Sequence, residues 1–89
     1  MVNEPEIWPT PHLIRAARAL VGISQETLRE KTGVAQKTIA KIEADKSNRM
    51  DPRRLKALQK LQRVLEDVYG VEFFAASENS GEGVRFRKK

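Results

Sequence analysis

The stretch Gln25 to Ala44, QETLREKTGVAQKTIAKIEA, restricts the fold more than any other part of the chain. Leu28 and Thr32 fall one helical turn apart ahead of Gly33. Ile39 and Ile42 behind it are spaced to share one buried stripe, with Val34 between the two sets. The spacing predicts two short helices meeting at Gly33. A residue directly after a helix commonly takes a left-handed conformation, which glycine reaches without a Cβ clash, so the chain can turn there sharply into the second helix. Two helices joined by so short a corner have helix-turn-helix geometry.

Opposite Ile39 and Ile42, the second of these helices presents Gln36, Lys37, Ala40, Lys41 and Ala44, a face with long donors and no acid. Two readings fit. One is an ordinary solvated helix surface, where Lys and Gln are common. The other is a surface that meets base edges in a major groove: Gln matches adenine, Lys matches guanine, and the small Ala40 and Ala44 let the backbone approach closely.

The phrase SQETLREKTGVAQKTIAKIEADK, with the helix before it, resembles the Cro/repressor-type (XRE-type) helix-turn-helix family of bacterial and phage transcription regulators over Leu13 to about Leu65. Ser24, Gln25, Gly33, Val34, Thr38, Ile39, Ile42 and Glu43 match the family pattern in type and spacing. The resemblance implies a helix 35–44 in the major groove of double-stranded DNA. Gln36, Lys37 and Lys41, with Thr38 beside them, are the base-contacting candidates. It also implies phosphate contacts for Ser24, Gln25, Lys46, Asn48 and Arg49, which would position the domain rather than read sequence. Arg18 and Glu43 match a pair that forms a structural salt bridge in related repressors. Two positions depart from the family. Arg29 stands where a close-packing Ala is usual, so its long stem must reach outward. Ala35 stands where Ser or Thr usually caps the second helix, and losing such a cap typically costs ~1 kcal/mol.

Composition narrows the function class. A chain of 89 residues, 39% of them hydrophobic, makes one small domain near the lower limit for a self-sufficient core. It has no cysteine, which excludes a disulfide framework, a thiolate nucleophile and a cysteine zinc site. His12 is the single histidine and reads as a surface residue rather than a metal ligand. With neither a nucleophile–base pair nor a cofactor loop, the chain does not read as an enzyme, and no cofactor or metal is expected. No apolar run approaches the ~20 residues that span a bilayer, and the start of the chain is acidic, so a cytoplasmic protein without membrane contact is expected. The formal net charge of +5 suits a polyanionic partner. Residues 12–50 hold eight bases against four acids, whereas residues 1–11 hold two acids and no base.

Along the chain, residues 1–9 (MVNEPEIWP) read as an extended segment whose Ile7 and Trp8 either pack on the domain or belong to a loose tail. Thr10 and Pro11 mark a helix start, with Thr10 as a side-chain cap. This helix runs to about Val21 and buries Leu13, Ala17, Leu20 and Val21, with Ile14 beside them. Ser24 caps the helix Gln25 to Thr32. Asp51 and Pro52 repeat the cap-and-proline signal, and the last helix reaches Tyr69 before Gly70; its apolar stripe is Leu55, Leu58, Leu61, Leu65 and Val68, widened by Val64. Beyond Gly70 the period becomes two, so residues 71–77 and 84–89 read as strands of a hairpin. Its basic side, Arg85 and Arg87, suits either solvent or phosphates.

The expected architecture is therefore mainly α: four helices in a Cro/repressor-like domain over residues 10–69, then a C-terminal β-hairpin over 70–89. The expected function is sequence-specific transcriptional regulation by a homodimer on an inverted-repeat operator. A lone hairpin is marginal in water, and this one carries Val71, Phe73, Phe74, Val84 and Phe86. Those residues, with Val64, Leu65 and Val68, are the dimerisation candidates; the same surface could instead pack on the chain's own helices or on a foreign protein. The alternatives are an antitoxin-like or anti-activator-like module that binds a regulatory protein, and a nonspecific basic DNA binder.

Overall fold

The computed structural model describes residues 7–46 and 49–88. Its elements follow in the order α1 (Pro11–Val21), α2 (Gln25–Thr32), α3 (Gln36–Ala44), α4 (Pro52–Asp67), β1 (Val71–Phe74) and β2 (Gly83–Phe86). The fold is mainly helical, with a two-stranded antiparallel hairpin at its C-terminal end.

Local chemistry sets most of these boundaries. Ser24 Oγ accepts from the Thr27 N–H at 3.1 Å, and Asp51 Oδ1 accepts from the Arg54 N–H at 2.9 Å, so α2 and α4 each start on a side-chain cap. Thr10 does not cap in this way. The backbone carbonyl of Thr10 receives the first helical bond, from Leu13 N at 2.9 Å, while its hydroxyl turns away and donates to Glu82 Oε2 at 2.8 Å. At Gly33 the backbone takes φ 76°, the left-handed corner that the sequence requires.

Ten buried residues make one core: Ile14 and Ala17 of α1, Leu28 of α2, Val34 and then Ile39 and Ile42 of α3, Leu58, Leu61 and Leu65 of α4, and Val71 of β1. Each fully buried Leu, Ile or Val contributes roughly 1.5–3 kcal/mol relative to leaving it exposed. Ile7 packs against this core from the N-terminal segment, and Trp8 is half-buried. The expectation for Met1 to Glu6 lies outside the described residues.

Four expectations are corrected. Leu20 is 40% exposed, not buried, while its neighbour Val21 packs against the core, so the last turn of α1 turns its covered side toward Val21. The last helix stops at Asp67 rather than Tyr69, because Val68 and Tyr69 form the turn that leads into Gly70 at φ 71°. The strands are shorter than read, since pairing runs only from Val71↔Phe86 to Phe74↔Gly83. Two of the dimerisation candidates also turn inward, while Val68 and Phe86 stay exposed. Val71 and Leu65 are completely buried within the chain and have no surface left for a second copy, and Phe73 and Val84 pack on the same core.

Alternation explains the rest of the hairpin. Its inner side carries Val71, Phe73, Val84 and Phe86, with α1 beside β2 and α4 beside β1. Its outer side carries Glu72 paired with Arg85 (Nε to Oε2, 2.6 Å), and the Arg85 guanidinium lies 4.6 Å from the centre of the Phe74 ring. The Phe74 ring in turn occupies the space that a side chain on Gly83 would need. Beyond the last pair, Arg87 N–H donates to the Gly70 carbonyl at 2.7 Å.

Candidate nucleic-acid interface

The corner between α2 and α3 is closed by Thr32. Its hydroxyl donates to the Leu28 carbonyl at 2.7 Å and accepts from the Val34 N–H at 3.1 Å, so the backbone groups freed by the turn are satisfied locally. Val34 then enters the core, and α3 follows with no side-chain cap because Ala35 has no acceptor to offer.

The orientation of α3 is held from its far end by Glu43. This carboxylate is nearly buried, with 5% of its side chain exposed, and it accepts from Arg18 Nε at 2.8 Å, Arg18 Nη2 at 2.9 Å and Gln25 Nε2 at 3.0 Å. Arg18 also donates to the Ile23 carbonyl at 3.1 Å. One cluster thus ties α1, the α1–α2 turn, the start of α2 and the end of α3. The guanidinium fork meets the carboxylate through two bonds, the strong geometry for this pair. Hydrogen bonding to Glu43 raises the Arg18 pKa above its ordinary value despite partial burial.

With Ile39 and Ile42 buried and Glu43 engaged, α3 exposes Gln36, Lys37, Ala40, Lys41 and Ala44; Thr38 is half-buried at the edge of that face. Ser24 at the entry to α2 and Lys46 just beyond α3 are exposed, as is Arg49 on the way to α4. Asn48 lies outside the described residues. Gln25 is half-buried with its amide turned onto Glu43, which leaves that group one further N–H. Arg29 reaches outward, 44% exposed and 4.0 Å from Glu26, so the substitution of a bulky residue at this packing position is accommodated at the surface.

The structure brings α4 to the same side. Arg53, Lys56 and Lys60 share a hollow with Thr38 and Lys41 of α3, and a second hollow joins Lys41 to Lys46, Arg49 and Arg54. Arg54 lies 3.7 Å from Asp45, so the acid that follows α3 is answered by a base. Sequence reasoning followed only the apolar stripe of α4 and missed Arg53, Lys56 and Lys60; the signal was present in their spacing of three and four residues.

Outside both hollows His12 Nε2 lies 2.9 Å from Glu82 Oε2 and 3.2 Å from Thr10 Oγ1, in the open. Among the described residues no group of three His, Cys, Asp or Glu is placed to hold a metal ion. No described helix is long and apolar enough to cross a membrane.

A family model described as helix-turn-helix matches residues 14–73. No curated protein matches the chain.

Proposed function

The chain belongs to the XRE-type helix-turn-helix family of DNA-binding transcription regulators, and we propose that it is a sequence-specific regulator, cytoplasmic, that inserts α3 into the major groove of an inverted-repeat operator as a homodimer. The observation that carries this reading is the acid-free outer face of α3, braced behind by the buried Glu43 cluster. A rigid helix that exposes Gln36, Lys37 and Lys41 can offer those donors at fixed positions, which base readout requires. Thr38 borders the same face. Ser24, Gln25, Lys46, Asn48 and Arg49 are the proposed phosphate contacts on either side of it, and these set register rather than sequence.

The test is selection of bound duplexes from a random pool, followed by Gln36→Ala and Lys37→Ala on the selected site. Each variant is expected to lose about 1–3 kcal/mol of binding and to relax preference at one or two positions. Variants that bind as tightly as wild type with unchanged preference would remove the assignment. A pool that yields no common sequence would favour a nonspecific binder.

For the dimer, Val68 at 59% and Phe86 at 54% exposure supply the apolar surface, with the half-buried Val64, Phe73, Phe74 and Val84 around them. A two-fold axis there would set two copies of α3 about 34–36 Å apart, one turn of DNA. Phe86→Glu leaves the core intact, so it is the variant to compare with wild type by sedimentation, free and on DNA. A wild type that stays monomeric at high micromolar concentration on the selected site excludes the dimer. The surface would then suit a foreign protein, as in an antitoxin or anti-activator.

A further inference from the structure

Arg53, Lys56, Lys60 and Arg63 follow one another along α4 at steps of three, four and three residues, which sets all four on one face of that helix. All four are exposed. None forms an ion pair or hydrogen bond with another described residue, whereas Arg18, Arg54 and Arg85 each do. The first three share their hollow with Thr38 and Lys41 of α3, and Arg63 continues the line one turn further. From Arg53 to Arg63 the helix rises about 15 Å.

We infer that this stripe is a second phosphate-binding edge: Lys56, Lys60 and Arg63 lie along the DNA backbone bordering the groove that α3 enters, carrying the contact well beyond the turn between α3 and α4. The inference rests on the reading of α3 as the helix in the groove. Three arguments select phosphate as the occupant. The stripe is continuous with the α3 surface through Lys41 rather than isolated on another side. Asp51 lines the same hollow, but none of the four cations forms an ion pair with an acid among the described residues, so a polyanion would supply the charge the fold does not. Their spacing along one helix suits a linear array of charges, and B-DNA presents one for every 1.7 Å or so of its axis. Such contacts carry no base information, so the stripe would strengthen binding to every duplex alike and leave sequence preference to α3.

The experiment compares the full chain with Lys56→Gln, Lys60→Gln, Arg63→Gln and the triple variant. Arg15→Gln serves as a control that removes an exposed cation on α1 lining neither hollow. Thermal melts establish that each variant folds as wild type does. Affinity is then measured from 50 to 200 mM salt on the selected duplex and on a random one. Each stripe substitution is expected to lower the slope of log K against log salt by about 0.9, and the triple by about 2.7. The control should change it by much less, and the ratio of preferred to random binding should stay constant throughout. If the stripe variants alter the slope no more than Arg15→Gln does, the inference is overturned while base reading by α3 stands. A ratio that collapses in the stripe variants also overturns it, by making these residues part of readout. Wild-type chain that binds neither duplex overturns this inference and the proposed function together.

Discussion

Two glutamates join distant parts of this chain in similar ways and with unequal consequence. Glu43 gathers Arg18 and Gln25 where 5% of its side chain and 21% of the arginine's are exposed. Glu82 gathers Thr10 and His12, with 33% of its own side chain and 71% of the histidine's exposed. Both bring convergent donors to within hydrogen-bond distance, but water competes for the second set and hardly reaches the first. A charge held out of water depends on its partners, whereas an exposed one can exchange them for solvent. The helix-turn-helix is therefore braced by a cluster that is costly to break, and the hairpin loop is fastened to the start of α1 by one that is not.

The sharpest way to break this comparison is Glu43→Ala. It leaves the Arg18 guanidinium unmatched in a partly buried place and should lower unfolding free energy by about 3 kcal/mol in urea titrations. A loss no greater than that of an ordinary surface substitution would show that burial does not distinguish the two sites. Next in size is Gly33→Ala. Nothing crowds a Cβ at that position, so the whole effect, about 1–2 kcal/mol, should come from forcing a left-handed backbone on alanine. Glu82→Ala should change stability by no more than about 0.5 kcal/mol, because exposed pairs contribute so little; a loss matching that of Glu43→Ala would abolish the contrast.

The smallest effect sharpens the comparison at a third carboxylate. The hydrogen bond from Arg85, helped by the charges of Arg85 and Arg87, holds the exposed Glu72 below the usual glutamate pKa. Its folded-state pKa thus lies under the unfolded one. The contribution to stability is complete above the ordinary carboxylate range and is lost as pH falls through the lowered value. An NMR titration of Glu72 should show the lowered midpoint, and Arg85→Ala should return it toward normal. A midpoint that does not move would separate Glu72 from the pairing.

Much of the fold could be read because its signals are local. Ser24, Asp51 and Pro52 mark helix starts by chemistry within three residues, and Gly33 marks the corner by a backbone requirement that glycine meets best. What depends on neighbours in space was less legible. Leu20 has the right spacing for burial, but spacing cannot tell that in the last turn of α1 it is Val21, not Leu20, that meets the core. The hydroxyl of Thr10 finds Glu82, seventy-two residues away, and no local rule anticipates that. Val71 and Leu65 read as surplus apolar surface because the number of core places cannot be counted from sequence. At the candidate site the long donors of α3 were visible as a face lacking acids. The companion cations of α4 were equally visible in their spacing, yet only folding shows that Arg53, Lys56 and Lys60 lie beside Lys41.

The burial of Val71 has a consequence for the order in which the molecule can be completed during synthesis. Its side chain joins Ile14, Ile39, Leu61 and Leu65 in the same core, although it is made after every helix. A nascent chain that has released α1 through α4 has therefore exposed the full helix-turn-helix but still has a gap in its interior. The strand that fills it emerges next. The helices that carry the candidate interface thus have a complete core only once β1, a later segment of the chain, has been made.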